Sequence, residues 1–389
     1  MVSETLLARL VAFDTTSRNS NLALIDFVAD YLGGFGAEVE VLHAADGAKA
    51  NLLATIGPGR EGGVVLSGHT DVVPVDGQTW HSDPFRLQVE DEVLIGRGSS
   101  DMKGFIACAL AAVPDMAAAK LASPIHFAFS YDEEVGCLGA PHMIRHMLAQ
   151  RFAPQAVLIG EPTDMRVMNA HKGMQTRRVE VCGHEAHSSQ TQLGVSAVGL
   201  AGRLVHWLVA AAEARRLEGL QDQRFTPAWS TLAVNEIQGG TAVNILAGRC
   251  SFTWELRHLP QDDPAALLAD FRRFCAEVEA EAREISPRVS VRETLLAEIP
   301  ALVPEAGGAA EALARLLTDN DAPAGAVAFC TEGGQFQQAG YSAVVCGPGS
   351  VAQAHQPDEQ VSRQDLARCD AMLADLVIRQ RQTPTQRPA

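Results

Sequence analysis

Basic charge is scarce in this chain. Its 389 residues include 31 Lys and Arg against 47 Asp and Glu, a formal net charge of −16 with neutral histidine. Nucleic-acid binders need a basic surface for phosphate contacts, and anionic membranes recruit basic clusters, so both classes are excluded. An anionic substrate has to be captured by a local arginine or a metal, against the global field. The eight cysteines contain no Cys-x-x-Cys pair. Cys108, Cys330 and Cys346 sit in or beside apolar runs, where a thiol acts as a small hydrophobe, so a reduced, cytoplasmic protein is expected. No stretch approaches the ~18 uninterrupted apolar residues of a membrane span. The start, Met1-Val-Ser-Glu-Thr-Leu-Leu, lacks the basic-then-apolar order of a secretory signal. There is no internal repeat, and the one biased stretch is the polar tail from Arg379, expected to fray.

Hydrophobic residues make up 47% of the chain, enough to bury a sizeable core, and the length suggests two domains. Short apolar runs recur, each ending in polar residues. Gly63-Val-Val-Leu-Ser-Gly68 leads to His69-Thr-Asp71, and Ile125-His-Phe-Ala-Phe-Ser130 leads to Tyr131-Asp-Glu-Glu134. Gln155-Ala-Val-Leu-Ile-Gly160 leads to Glu161, and Ser342-Ala-Val-Val-Cys-Gly347 leads towards His355. Runs of this kind read as strands buried on both faces. Helical segments, Met102–Met116 and Ala140–Gln150, lie between them, so an α/β layered domain is expected. Ligands in such sheets gather at the carboxyl ends of the strands, which is where the histidines and acids stand. The middle of the chain differs. Long helices over Val195–Leu217 and Ala265–Ile285 alternate with strand-like Ser230–Ile237 and Arg249–Leu256. That pattern predicts a separate α+β unit over 174–293, with the large sheet resuming near Val289.

The candidate ligands are His69, Asp101, Glu134, Glu161 and His355, accompanied by Asp71 and Glu133. Imidazole with carboxylate suits zinc, with cobalt or manganese as neighbours. Five such groups exceed one tetrahedral ion and suit two ions sharing a carboxylate. On spacing alone each group also has an ordinary reading: Asp101 as a helix N-cap, Glu133-Glu134 as a solvated turn, each histidine as structural. His43, His81, His126, His142, His146, His206 and His258 are left in that structural class.

A series of motifs then resembles the M20 metallopeptidase family. Ser67-Gly-His-Thr-Asp-Val-Val-Pro74 and Gly96-Arg-Gly-Ser-Ser-Asp-Met-Lys-Gly104 are similar to its two opening blocks. Glu133-Glu134-Val-Gly, Gly160-Glu-Pro-Thr163, Gly183-His-Glu-Ala-His-Ser-Ser189, Gly239-Gly-Thr-Ala-Val-Asn244 and Ala354-His355 follow in family order, spanning almost the whole chain. Cys330-Thr-Glu-Gly-Gly-Gln-Phe and Gly347-Pro-Gly-Ser-Val-Ala-Gln-Ala-His-Gln-Pro-Asp-Glu359 look most like its acetylornithine deacetylase branch.

The resemblance implies a zinc-peptidase-like catalytic domain over 1–173 and 294–389, a mixed sheet flanked by helices, with residues 174–293 as an inserted lid and dimerisation domain. It implies two zinc ions, cobalt being a plausible substitute. His69, Asp101 and Glu161 would hold one, and Asp101, Glu134 and His355 the other. Asp71 would accept the second N–H of His69 and fix its tautomer. Glu133 would be the general base on a metal-bridging water. His187, on the inserted domain, would reach the partner's active site in a homodimer and stabilise the oxyanion. Arg257, by resemblance, would grip the substrate carboxylate; an ordinary strand-end salt bridge is nearly as good a reading. Asn244 would supply an amide or simply form a turn. The implied reaction is deacetylation of N2-acetyl-L-ornithine to ornithine and acetate, in arginine biosynthesis. A related N-acyl amino acid, N-succinyl-diaminopimelate or a dipeptide is the alternative substrate. The ending departs from the usual Glu-Ala continuation at Glu332-Gly-Gly-Gln-Phe, which makes Gln335 a candidate for altering the pocket. A catalytically silent binding dimer is the alternative of another class, opposed by the presence of every ligand and of Glu133.

Overall fold

A computed structural model describes residues 1–381. The strands in chain order are β1 (Glu38–His43), β2 (Ala50–Ile56), β3 (Val64–His69), β4 (Gln88–Glu90), β5 (Val93–Ile95), β6 (Ile125–Ser130), β7 (Ala156–Ile159), β8 (Met168–His171), β9 (Gly173–Cys182), β10 (Thr231–Gly239), β11 (Arg249–His258), β12 (Ser290–Ile299), β13 (Gly325–Val327), β14 (Ala343–Val345) and β15 (Gln360–Ser362). The helices are α1 (Val2–Val11), α2 (Leu22–Gly34), α3 (Lys103–Ala111), α4 (Val113–Ala118), α5 (Ala140–Ala149), α6 (Ala197–Glu218), α7 (Pro264–Arg283), α8 (Ala309–Thr318), α9 (Gly333–Gln338) and α10 (Arg363–Gln380).

Two compact units result, one of Met1–Ala170, Leu302–Ala326 and Thr331–Ala389, the other of His171–Ala301 and Val327–Cys330. The first is built on an eight-stranded sheet in the order β1-β2-β6-β3-β7-β14-β8-β13. Its centre is parallel: β3 pairs in parallel with β6 and β7, and β7 with β14. β1, β2 and the β2–β6 pair are antiparallel, so the sheet is mixed. Every residue of β2, β3, β6 and β7 is buried, as expected of strands covered on both faces. One side chain shows how closely α3 approaches the sheet. A Cβ placed on Gly160 would lie 2.0 Å from the Phe105 ring, so only glycine lets that helix pack there. The single helix expected over Met102–Met116 is broken into α3 and α4 just ahead of Pro114, whose ring and missing N–H interrupt a continuous ladder.

The second unit has a four-stranded antiparallel sheet, β10-β11-β9-β12. Alternate residues of β11 (Cys250, Phe252, Trp254, Leu256) are buried, the period-two pattern of a sheet with one covered face. That face packs against α6 and α7 through Leu204, Leu208, Phe271 and Val278. α6 starts at Ser196, whose hydroxyl accepts from Gly199 N–H, and α7 at Asp263 followed by Pro264, the usual chemistry of helix starts. The strand after Val289 does not return to the large sheet: β12 pairs with β9 and runs to Ile299, so the main segment of this unit continues to Ala301, beyond residue 293. Among the described residues, α6 alone is long and apolar enough to cross a membrane by length and composition. Arg203 and His206 interrupt it, and Leu200, Leu204 and Leu208 are buried in its own unit. α10 continues through Arg379, which pairs with Asp375, so the tail begins later than expected. Its last eight residues, 382–389, lie outside the described residues.

Candidate metal centre

Parallel strands end on one edge, and three of them deliver the site. His69 closes β3, Glu133 and Glu134 follow β6, and Glu161 follows β7. His355 lies in the connection after β14, and Asp101 just ahead of α3. His69 Nε2 lies 3.0 Å from Asp101 Oδ1 and 3.7 Å from Glu161 Oε1. His355 Nε2 lies 3.3 Å from Asp101 Oδ2 and 2.9 Å from Glu134 Oε2. Asp101 therefore presents one oxygen to each histidine. Two sets of donors, His69–Glu133–Glu161 and His69–Asp101–Glu134, each have ligand atoms within 4.8 Å of one another. Glu133 thus stands as near to the cluster as the expected ligands do.

The electrostatics are those of crowded buried acids. Burial pushes the Glu133 carboxyl up to about 8, against the pull of His69 and with Glu134 and Asp101 adding to the rise. Burial raises Glu134 to about 7, helped by Asp101, and raises Glu161 well above the carboxylate range. Asp101 moves the other way: burial favours its neutral form, but hydrogen bonds from His355 and His69 hold it below the usual range. Burial lowers His69, yet Glu161 and Asp101 more than reverse this. Hydrogen bonds to Asp101 and Glu134 lift His355 to about 10. Such a cluster is costly unless protons or cations neutralise it. Two imidazoles and four carboxylates converging in this way fit divalent metal.

Other acids brace the ligand loops. Asp71 does this differently from the expectation. His69 Nδ1 is 2.9 Å from the Asp71 main-chain carbonyl and 3.7 Å from its carboxylate, so the backbone of residue 71 sets the tautomer. The carboxylate instead accepts from the Ser17 hydroxyl at 2.7 Å and from the N–H groups of Glu133 and Glu134 at 3.1 and 3.3 Å. It fixes the turn that carries both glutamates. Glu332 is buried and accepts from Ser67 on β3, at 3.1 Å, and from Ser130 at the end of β6. Glu359 accepts from the N–H groups of Gly98, Ser100 and Asp101. Sequence reasoning assigned no role to Ser17, Glu332 or Glu359. The signal for Glu359 was its position four residues past His355 in an acidic, proline-containing turn.

His187, Asn244 and Arg257 belong to the second unit. His187 is exposed and bridges to Ile245, next to Asn244, whose carbonyl accepts from Ser188 N–H at 3.1 Å. Its Nδ1 accepts from Ser189 N–H at 3.2 Å, which leaves the proton on Nε2 as a free donor. Arg257 donates through Nε to Glu255 at 2.6 Å and through Nη2 at 3.3 Å. The strand-end salt bridge is therefore what its guanidinium forms. Of the histidines set aside as structural, His126 bonds Thr55, His146 pairs with Glu40, His81 pairs with Asp358, and His258 bonds the Leu259 carbonyl.

The sequence profile of peptidase family M20/M25/M40 matches residues 65–379. The chain belongs to this family. Its M20 relatives include acetylornithine deacetylases from Myxococcus xanthus, 37% identical over 95% of both chains, and from Yersinia pseudotuberculosis, 33% identical over 94% of this chain and 92% of the other. Among solved M20-type folds, a Staphylococcus aureus tripeptidase superposes with a TM-score of 0.75 at 17% identity over 98% of each chain. An M20 family metallo-carboxypeptidase from Sulfolobus solfataricus superposes with a TM-score of 0.74 at 15% identity, over 96% of this chain and 98% of the other. As an M20 member the chain is a metal-dependent hydrolase with the mixed-sheet fold described above.

Proposed function

We propose that the chain is a two-metal amidohydrolase that removes the acetyl group from N2-acetyl-L-ornithine, releasing ornithine and acetate. The observation that carries the chemistry is the shared Asp101. One oxygen faces His69 and the other His355, the arrangement expected of a carboxylate bridging two ions. The substrate rests on the acetylornithine deacetylase relatives, which align over nearly the full length of the chain.

In this reading His69, Asp101 and Glu161 would hold one zinc ion, and Asp101, Glu134 and His355 the other, with cobalt a plausible substitute. Bound there, the ions would polarise the amide carbonyl and acidify water. The chain's own residues do the proton work. Glu133 is held by the turn that Asp71 fixes, so its carboxylate can take the proton from the attacking water and pass it to the departing nitrogen. His187 offers its Nε2–H as a donor to the developing oxyanion. We assign it to the partner's site in a homodimer. Exposed apolar residues in its unit, Val198 and Val209 on α6 and Ile237 on the edge strand β10, support such an assembly. Arg257 and Asn244 are assigned to the substrate carboxylate, which for Arg257 requires exchange of its Glu255 partner. Buried Cys108, Cys250, Cys346 and Cys369 are thiols outside any disulfide, in keeping with a cytoplasmic enzyme.

One feature favours a second substrate reading. Gln335 is buried beside the Glu133 turn, donating to the Cys137 carbonyl at 3.1 Å, with its Oε1 unpaired. A polar group there can shift preference to another N-acyl amino acid. Free-amine release from N2-acetyl-L-ornithine by zinc- or cobalt-loaded protein, beside a chelated control and an acyl-amino-acid panel, separates the readings. Metal-dependent release with acetylornithine preferred is expected. Preference for another panel member moves the substrate, and no hydrolysis of any member overturns the reading.

A further inference from the structure

His355 is an unusual ligand. Its side chain is 53% exposed, so packing does not hold the imidazole. Its backbone is left-handed, with φ +63°, a strained conformation for a non-glycine residue that persists only where neighbours enforce it. The enforcing contact comes from Gln78, whose Nε2 donates to the His355 carbonyl at 2.8 Å. The Oε1 of Gln78 accepts from Arg97 Nη2. Arg97 is fully buried, lies over the Trp80 ring at 5.0 Å and donates Nη1 to the Gln356 carbonyl at 3.2 Å. The same Nη1 lies 2.7 Å from Glu359 Oε2. Glu359 in turn holds the Asp101 loop: Oε2 accepts from Gly98 N–H at 3.0 Å, and Oε1 from Ser100 and Asp101 N–H at 2.9 and 3.0 Å. Gln78, Arg97 and Glu359 form one connected chain of hydrogen bonds with Asp101 at one end and His355 at the other.

We infer that Gln78, Arg97 and Glu359 are positioning residues that lock Asp101 and His355 at a fixed separation, and that they thereby set the affinity of the ion shared by those two ligands. The inference rests on the two-ion reading above. Its two ends act differently. Gln78 bonds His355 directly and reaches the Asp101 loop only through Arg97 and Glu359, so its loss weakens the second ion and leaves the His69–Asp101–Glu161 ion in place. Glu359 holds the loop of Asp101, which serves both ions, so its loss weakens both. Groups that orient metal ligands from behind characteristically carry 10–100-fold in affinity. A brace serving only the fold would lower thermal stability without distinguishing between the ions.

The test is chelator-competed zinc titration, with cobalt absorption as a second readout, on wild type, Gln78→Ala and Glu359→Gln. Wild type should bind two ions. Gln78→Ala should bind the first as wild type does and the second about 10–100-fold more weakly, with the unfolding temperature of the metal-free protein unchanged. Glu359→Gln should weaken both ions. Wild type binding two ions while Gln78→Ala matches both its affinities overturns the inference and leaves the two-ion reading standing. Wild type binding fewer than two ions removes that reading, and the inference with it. Gln78 is half-buried in a loop, so Gln78→Ala decides the matter even where Glu359→Gln fails to fold.

Discussion

Glu133 and Glu134 are adjacent in sequence but differ in their partners. Glu134 lies 2.9 Å from His355, whereas Glu133 accepts from the Cys137 thiol at 3.2 Å. That difference supports a ligand role for the first and a proton-transfer role for the second. Glu133→Gln should keep fold and metal content while turnover falls by about 10²–10⁴-fold, measured by amine release beside metal analysis. Full activity would remove Glu133 from the mechanism. The titration of the same cluster gives a second expectation. Glu133 and Glu134, raised to about 8 and 7, and His355, raised to about 10, each bind protons more tightly folded than unfolded. Their contribution to stability is complete below their unfolded values and is lost as pH rises through the folded ones. Chelated protein should therefore lose thermal stability from about pH 5 to about 10, and loading with zinc should flatten that slope by replacing protons with cations. A chelated protein that gains stability over this range would contradict the geometry. At this scale the candidate ligands were legible: His69, Glu133, Glu134 and Glu161 stand where apolar runs end, and ordered motifs marked Asp101 and His355. The roles of Asp71 and Glu359 were not. Which atom of residue 71 faces His69, and which loop a carboxylate at 359 caps, depend on contacts between segments far apart in sequence.

At the scale of elements, the parallel core β6-β3-β7-β14 is what makes a site of scattered residues. Parallel pairing aligns strand ends, and the apolar runs had already marked those ends. Sequence could not mark how near α3 comes. Gly160→Ala places a methyl group against the Phe105 ring, in the residue before Glu161. It should cost about 1–3 kcal/mol or more through overpacking, read as a lower denaturant midpoint. An unchanged midpoint would mean that α3 shifts freely. The break between α3 and α4 and the partner of β12 also escaped the reading. A proline inside an apolar periodic stretch leaves the periodicity intact, and a strand's sequence does not name the sheet it joins.

At the scale of the molecule, the two units divide the proposed work: the first carries every metal ligand and Glu133, the second His187, Asn244 and Arg257. A site completed by a partner subunit can be tested by mixing. His187→Ala and Glu133→Gln, each deficient alone, should regain activity as mixed dimers, since one of the two sites then has both residues. Absence of regain despite demonstrated subunit exchange would place His187 outside the partner's chemistry. The sequence by itself determined the layered α/β class and the family, and it named the candidate ligands and a candidate α+β unit. Local patterning of apolar and polar residues and short ordered motifs carry these. Tertiary structure alone decided that Asp101 faces two histidines at once, that Asp71 holds the glutamate turn, and that Gln78, Arg97 and Glu359 tie the Asp101 and His355 loops together. These are contacts between residues up to 277 positions apart (Gln78 and His355), and no local pattern encodes them.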